Sequence, residues 1–263
     1  MERPRVCILK TDGINCDEEL AYSFELAGGN PQQVHINELL ASQARLRDYQ
    51  ILAIPGGFSY GDDIASGRVL ANELAFRLRD EVHDFVETRQ GLVIGICNGF
   101  QVLARTGLLP YRRLINTLGD MDATLDFNNS GHFECRWVNL SVENGKCEFT
   151  KGMDKIISIQ VAHGEGNFYA RPEILQDIEA QKMVAFKYCD VLGNPTQEYP
   201  LNPNGSINAI AGITDTTGRI LGLMPHPERF VAKTQHPNWR RMDVLKPQGL
   251  PLFEGMVSYA SQV

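Results

Sequence analysis

Leu92-Val93-Ile94-Gly95-Ile96-Cys97-Asn98-Gly99-Phe100-Gln101 joins an apolar run to the start of a helix across a single cysteine. The run Leu92 to Ile96 shows no polar alternation, as expected of a strand buried on both faces of a parallel sheet. A helix opens over Phe100 to Arg105. Gly95 and Gly99 stand two residues on either side of Cys97, the cysteine counterpart of the G-x-S-x-G nucleophile elbow. A sharp strand-to-helix turn tolerates only small neighbours and lifts its central side chain above the sheet edge. It also sets the sulfur at a helix N-terminus, whose partial positive charge suits a nucleophile, and aims the Asn98 N–H at a developing oxyanion.

Outward from this elbow, strand and helix signals alternate. Val6 to Leu9 reads as a strand, Asp17 to Ala27 as a helix stopped by Gly28-Gly29, and Gln33 to Ile36 as a second strand. Ile51 to Ile54 is a third strand and ends at Pro55-Gly56-Gly57. Val69 to Thr88 carries apolar residues at helical spacing. This alternation predicts an α/β fold with a mostly parallel central sheet and helices on both faces. The second half adds strands at Phe133 to Val142, Ile156 to Val161, Val184 to Tyr188, Ile207 to Ile213 and Arg219 to Met224, then a closing helix at Leu252 to Tyr259. Leu192 to Ser206 and Lys233 to Pro251, rich in Pro, Asn and Gly, read as loops. No linker composition or internal repeat divides the chain, so one domain is expected over 1–263, with its core at about 5–259.

Composition narrows the function class. Lys and Arg number 25 against 32 Asp and Glu in 263 residues, a formal net charge of −7. That argues against a phosphate-backbone binder, so no nucleic acid is expected. No apolar run approaches the roughly 18 residues of a membrane span, and the start lacks a signal-peptide pattern. A cytoplasmic protein with reduced thiols is expected. The closest two of six cysteines, Cys7 and Cys16, are nine apart; no C-x-x-C exists and no metal site is predicted.

A cysteine nucleophile needs a base. Among the six histidines, His163 and His226 each follow an apolar strand. His226 lies in Met224-Pro225-His226-Pro227-Glu228-Arg229. The flanking prolines restrict the backbone, and Glu228 stands two residues on, where a turn can return it to the imidazole as the third member of a triad. The loop Pro55-Gly56-Gly57-Phe58-Ser59-Tyr60-Gly61-Asp62 shares the carboxyl edge of the sheet with Cys97 and can supply a second oxyanion donor. It is no P-loop, because no Gly-Lys-Ser/Thr follows. Cys16, just after the first strand, has two readings, a place at the active edge or, the favoured one, core or loop packing.

Together, Gly56 to Asp62, Cys97-Asn98-Gly99-Phe100-Gln101, Ala162-His163-Gly164-Glu165-Gly166-Asn167-Phe168 and Met224 to Arg229 resemble the class I (triad) glutamine amidotransferases. Within them they resemble the glutaminase subunits of phosphoribosylformylglycinamidine synthases of purine biosynthesis, from about Arg5 to Tyr259. The resemblance implies that Cys97 attacks the glutamine amide to form a thioester, His226 is the acid/base and Glu228 orients it. It implies an oxyanion hole from the N–H groups of Gly57 and Asn98. Gly56, Gln101, His163, Asn167 and Phe168 are implied to lie near bound glutamine, the last three on a loop near that site or the partner. It also implies that the chain itself holds no cofactor. ATP and magnesium belong to a large synthetase partner acting on formylglycinamide ribonucleotide, with a third small subunit in some members.

A partner is also expected on separate grounds: ammonia set free in neutral water is mostly protonated, and the chain has neither a Walker A loop nor a G-x-G-x-x-G. Phe58, Tyr60 and the two long loops are expected at that interface. The stretch Phe230 to Pro251, with His236-Pro237-Asn238-Trp239, is longer than in many separate subunits and looks more like the single-chain enzymes; a natural subunit is favoured over an excised domain. Two rival readings stand beside this one. The first is a glutaminase serving another acceptor; the second is a cysteine hydrolase or interaction protein on the same scaffold.

Overall fold

The computed structural model describes residues 3–117, 119–241 and 246–262. In chain order the strands are β1 (Arg5–Lys10), β2 (Asn30–His35), β3 (Ile51–Ile54), β4 (Leu92–Ile96), β5 (Ala123–Phe127), β6 (Glu134–Val142), β7 (Ile156–His163), β8 (Glu165–Ala170), β9 (Val184–Cys189), β10 (Ile210–Thr214) and β11 (Ile220–Leu223). The helices are α1 (Asp17–Leu26), α2 (Ile36–Leu40), α3 (Arg68–Asn72), α4 (Arg79–His83), α5 (Asn98–Thr106), α6 (Pro172–Ala180) and α7 (Leu250–Ala260). α3 and α4 form the helical stretch expected over 69–88, continued by π turns at Glu73–Arg77 and Asp84–Thr88.

Nine strands make one sheet in the order β2-β1-β3-β4-β11-β10-β9-β6-β7. The first five are joined in parallel; β1, β3, β4 and β11 are near-continuous aliphatic runs, with every residue of β3, β4 and β11 buried, while β2 is the polar edge strand. β10, β9, β6 and β7 continue the sheet antiparallel. The chain steps from β1 outward to β2, and from β3 to β4 in the opposite direction. Right-handed crossovers therefore put α1 and the α3–α4 stretch on opposite faces. The direction reverses between β1 and β3, the switch point outside whose carboxyl ends open α/β sheets bind ligands.

The antiparallel half returns toward this edge. Gln160 of β7 forms an isolated bridge with His226, whose N–H donates to the Gln160 carbonyl at 2.8 Å. The segment after β11 is pinned by aromatic contacts: Trp137 of β6 packs edge-on against Phe230 at 5.2 Å and against His236 at 4.6 Å between ring centroids. Residues 242–245 of the long 233–251 loop lie outside the described residues.

One expectation needs correction. Residues 163–168 are not a loop: His163 ends β7, and Glu165 to Phe168 lie in β8, which pairs with β5 in a separate two-stranded sheet. Gly166, Phe168 and Ala170 face inward while Glu165, Asn167 and Tyr169 face outward, the period-2 alternation of a half-buried strand.

Candidate active site

Cys97 sits between β4 and α5 with φ 53° and ψ −105°, a conformation costing on the order of 1–3 kcal/mol. The surrounding hydrogen bonds over-determine it. Its N–H donates to the Leu223 carbonyl at 2.8 Å, and its own carbonyl accepts from Phe100 and Gln101. The flanking glycines are steric necessities. A Cβ on Gly99 would stand 2.0 Å from the Ile54 carbonyl oxygen, and one on Gly95 would stand 2.4 Å from the Gly99 oxygen. Both obstacles are backbone and cannot rotate away.

His226 follows β11, the parallel neighbour of β4, so sulfur and imidazole emerge from adjacent strands at one edge. Pro227 to Phe230 form a 3₁₀ turn that brings Glu228 Oε1 to 2.5 Å from His226 Nδ1. Both residues are 1% exposed. With Nδ1 committed to the carboxylate, Nε2 is the atom left to face the sulfurs. Burial alone would lower the imidazole pKa. The charge of Glu228, with contributions from Cys97 and Cys16, more than offsets it and holds the group well above its ordinary value. Glu228 thereby favours the protonated form of the ring. Cys97 and Cys16 both lie within hydrogen-bonding reach of the ring, yet neither is well aligned, and Nε2 stays open.

Cys16 corrects a second expectation, since it lines the site. It ends the loop after β1. Its Sγ would be 3.2 Å from a Cβ on Gly56, a position also 2.8 Å from His226 Cε1 and 3.5 Å from Cys97 Cβ. Gly56 is thus the bare wall on which the three side chains converge. Arg229 Nη2 donates to Cys16 Sγ at 3.1 Å, while its Nε donates to Glu19 at 3.0 Å. Burial raises the Cys16 thiol pKa against the opposing pull of His226 and Arg229.

The loops after β1 and β3 interlock. Phe58 N–H donates to the Gly13 carbonyl, Tyr60 N–H to Asp12, and Cys16 N–H to Gly56. Gly57 adopts φ +138°, where a side chain would meet the backbone of Gly13, Ile14 and Asn15 at 2.8 Å. Among the described residues nothing accepts the N–H of Gly57 or of Asn98. Two donors thus stand unspent near the sulfur, the prerequisite of an oxyanion hole. The Asn98 side chain fixes the arrangement: Oδ1 accepts from Ser59 N–H, while Nδ2 donates to Asp62 and to Gln101 Oε1.

A buried cysteine, an imidazole fixed by a carboxylate, and two free amide donors fit acyl transfer from a carboxamide or ester. The family model for the CobB/CobQ-like glutamine amidotransferase domain matches residues 3–260. The chain belongs to that glutamine amidotransferase family. A phosphoribosylformylglycinamidine synthase subunit PurQ of Dehalococcoides mccartyi is 47% identical over 100% of both chains. A PurQ subunit of Methanococcus maripaludis is 42% identical over 94% of this chain and 90% of its own. Among solved structures, PurLQS from Thermotoga maritima aligns with TM-score 0.73 at 31% identity, covering 98% of this chain and 99% of that one.

Of the remaining residues expected near glutamine in this amidotransferase, Gly56 and Gln101 join the cluster. The Gln101 carboxamide spans Asn98 and the Glu165 carbonyl. Phe168 and Asn167 stand apart, whereas His163 flanks the site, next to Ala162, whose carbonyl meets Cys97 Sγ at 3.7 Å. Phe168 is fully buried, stacked on Phe100 at 6.1 Å; it supports α5 rather than facing the opening. Asn167 points outward to Asn129. His163 is a buried neutral ring: Nδ1 meets Asn128 Oδ1 at 3.1 Å, and Nε2 faces the Asn204 amide at 3.5 Å.

Burial, aided by the charge of His226, lowers the His163 pKa to about 3. The unfolded chain then binds a proton that the folded chain refuses between about pH 6.5 and 3. Stability must fall as pH drops through that window, by up to about 5 kcal/mol from this group. Urea titrations of His163→Gln should show a shallower acid limb than wild type; parallel limbs would refute the assignment.

Residues that the sequence reading left without a role are Cys16, Arg229, and the amides Asn128 and Asn204. Arg229 directly follows Pro225-His226-Pro227-Glu228, and Cys16 ends the first predicted strand-to-helix loop. Those were the available signals.

Proposed function

We propose that this chain is the glutaminase component of a phosphoribosylformylglycinamidine synthase. Cys97 passes its thiol proton to His226 as Sγ attacks the side-chain amide carbon of glutamine, and the oxyanion is received by the Gly57 and Asn98 N–H groups. His226, charged and held by Glu228, gives a proton to the departing nitrogen, leaving a γ-glutamyl thioester and ammonia. The neutral imidazole then takes a proton from water, whose attack on the thioester releases glutamate.

The observation that carries this reading is the convergence of Cys97 and the His226–Glu228 pair at one strand edge. Full-length likeness to PurQ subunits selects the acceptor over other amidotransferase acceptors and over a non-amidotransferase hydrolase. Ammonia passes to a synthetase partner that binds ATP, magnesium and formylglycinamide ribonucleotide, with a small third subunit in the assembly; this chain holds no cofactor of its own. PurLQS of Thermotoga maritima supports that composition. No helix among the described residues is long and apolar enough to cross a membrane, and all six cysteines are free. Both fit the cytoplasmic setting of this reading. The triad, the oxyanion donors and the single-domain organisation are part of the proposal.

The deciding experiment treats the assembled enzyme with 6-diazo-5-oxo-norleucine, an electrophilic glutamine analogue. Stoichiometric label on Cys97 with loss of glutamine-dependent amidation is expected; label elsewhere overturns the reading.

The partner surface is expected on the loop after β3. Phe58 and Ile64 are exposed there, at 47% and 68%, and Tyr60 is held at φ 54°. Such apolar side chains on a rigid loop are typical anchors. Tyr60→Ala should weaken assembly, measured by calorimetry, more than about tenfold, with a smaller effect on free glutaminase activity. Unchanged affinity would count against this surface.

A further inference from the structure

Asp62 has no part in the mechanism above, yet its carboxylate is where the loop after β3 is fastened to α5. Tyr60, Gly61 and Asp62 all lie in the left-handed region, at φ 54°, 70° and 54°. Such a run persists only where its surroundings over-determine it, and strain of this kind gathers at functional sites. Asp62 supplies much of that determination. Its Oδ1 accepts from Asn98 Nδ2 at 3.2 Å and from the Gly67 N–H at 3.2 Å, and its Oδ2 accepts from Ser66 Oγ at 3.0 Å. We propose that Asp62 is a positioning residue for the oxyanion hole, holding Asn98 and the Gly57 loop in register through one carboxylate. This role rests on the glutaminase reading.

The hydrogen bonds allow the Asn98 carboxamide a single orientation. Its oxygen accepts from the Ser59 N–H at 3.3 Å, so its nitrogen needs acceptors, and Asp62 Oδ1 and Gln101 Oε1 are those acceptors. Gln101 is tied in turn to the Glu165 carbonyl at 2.6 Å. Asn98 is 1% exposed, so losing Asp62 leaves a buried donor unpaired, a cost that favours rearrangement. Asn98 opens α5 and carries one oxyanion donor on its backbone, and Ser59 stands two residues from Gly57, which carries the other. A shift of the carboxamide therefore reaches both donors.

The far end of the loop is clamped to the same helix. Arg105 Nε donates to the Ser66 carbonyl at 2.8 Å, and a Cβ on Gly67 would stand 2.9 Å from Val102 Cγ2. Ser59 and Ser66 are thus both anchored on α5, and Asp62 ties the turn between them. Oxyanion donors act only when aimed before the charge develops, and deleting one costs about 10²- to 10³-fold in kcat. Loosening the support of both donors, with neither deleted, should cost about 10- to 100-fold.

The test compares Asp62→Gly and Asp62→Asn with wild type in the assembled enzyme, at saturating partner. Glycine keeps the left-handed backbone and removes the carboxylate. Asparagine also tolerates that backbone; its oxygen can still accept from Asn98 and Gly67 while its amide donates to Ser66 Oγ. Two probes of Cys97 separate aim from reactivity. Glutamate γ-semialdehyde adds the thiol across its carbonyl and puts the resulting oxygen in the hole. Iodoacetamide alkylates the sulfur by displacing iodide and forms no oxyanion. Asp62→Gly should lower kcat and semialdehyde affinity together by about 10- to 100-fold, with KM for glutamine and the alkylation rate within about threefold of wild type. Asp62→Asn should stay within about threefold of wild type on every measure. Equal semialdehyde affinity in Asp62→Gly and wild type, an alkylation rate that falls in step with it, or an Asp62→Asn as impaired as Asp62→Gly would each overturn the role while wild-type glutaminase activity stands. Wild type that releases no glutamate overturns the glutaminase reading, and this role with it.

Discussion

Cys97→Ala is expected to lower glutamate release by about 10³-fold or more, while the assembled synthase still amidates its acceptor from added ammonia. The asymmetry follows from where the residue stands. Cys97 supplies the only atom proposed to bond the substrate, so no neighbour substitutes for it. It makes little of the fold: its side chain gives one 3.7 Å contact to the Ala162 carbonyl, and the elbow is fixed by backbone bonds that alanine keeps. Cys97→Ser keeps the shape but replaces a polarizable sulfur with a hydroxyl, a much weaker acid that gives up its proton to His226 far less readily. It should fall nearly as far. Glutamate release and ammonia-dependent amidation, measured on the same preparation, check both statements. Undiminished nitrogen transfer from glutamine in Cys97→Ala would end the thioester reading.

The parts of this site that were legible in the sequence are those built by rigid local rules. An all-aliphatic run entering G-x-C-x-G permits few conformations, because Gly95 and Gly99 each face a backbone oxygen. The Pro-His-Pro-Glu turn is equally constrained, and both motifs follow strands that turned out to be parallel neighbours. The residues whose surroundings no local rule announces depend on contacts between distant segments. Cys16 meets Arg229 across 213 positions, and no spacing rule announces that. His163 and Phe168 share one motif with catalytic-looking neighbours. Strand alternation turned Phe168 inward, and the asparagines of two other loops closed on His163. β5 escaped because five residues with Asp126 inside show no clear period. α6 escaped although Pro172 at its first turn is a start signal.

Glu228→Gln should reduce kcat/KM for glutamine by about 10²- to 10⁴-fold while leaving the chain folded. Gln is isosteric and can still meet Nδ1, but it removes the negative charge. That charge holds the pKa of His226 up against its burial. Without it the imidazole pKa falls, so at neutral pH the ring is no longer the cation that protonates the leaving nitrogen. The sign of the pH effect follows. The alkaline limb of the wild-type rate profile, where the imidazolium loses its proton, should move to lower pH in the variant.

Stability should respond in the same sense. A histidine whose pKa is raised on folding contributes most below its unfolded value near 6.5, and the contribution fades as pH rises through the folded value. The melting temperature of Glu228→Gln should therefore fall below wild type most at acid to neutral pH and converge with it at alkaline pH. A merely structural role for Glu228 would lower stability evenly across pH and leave the position of the rate limb where it was. The two limbs, one kinetic and one thermal, separate an orienting carboxylate from a buried packing group.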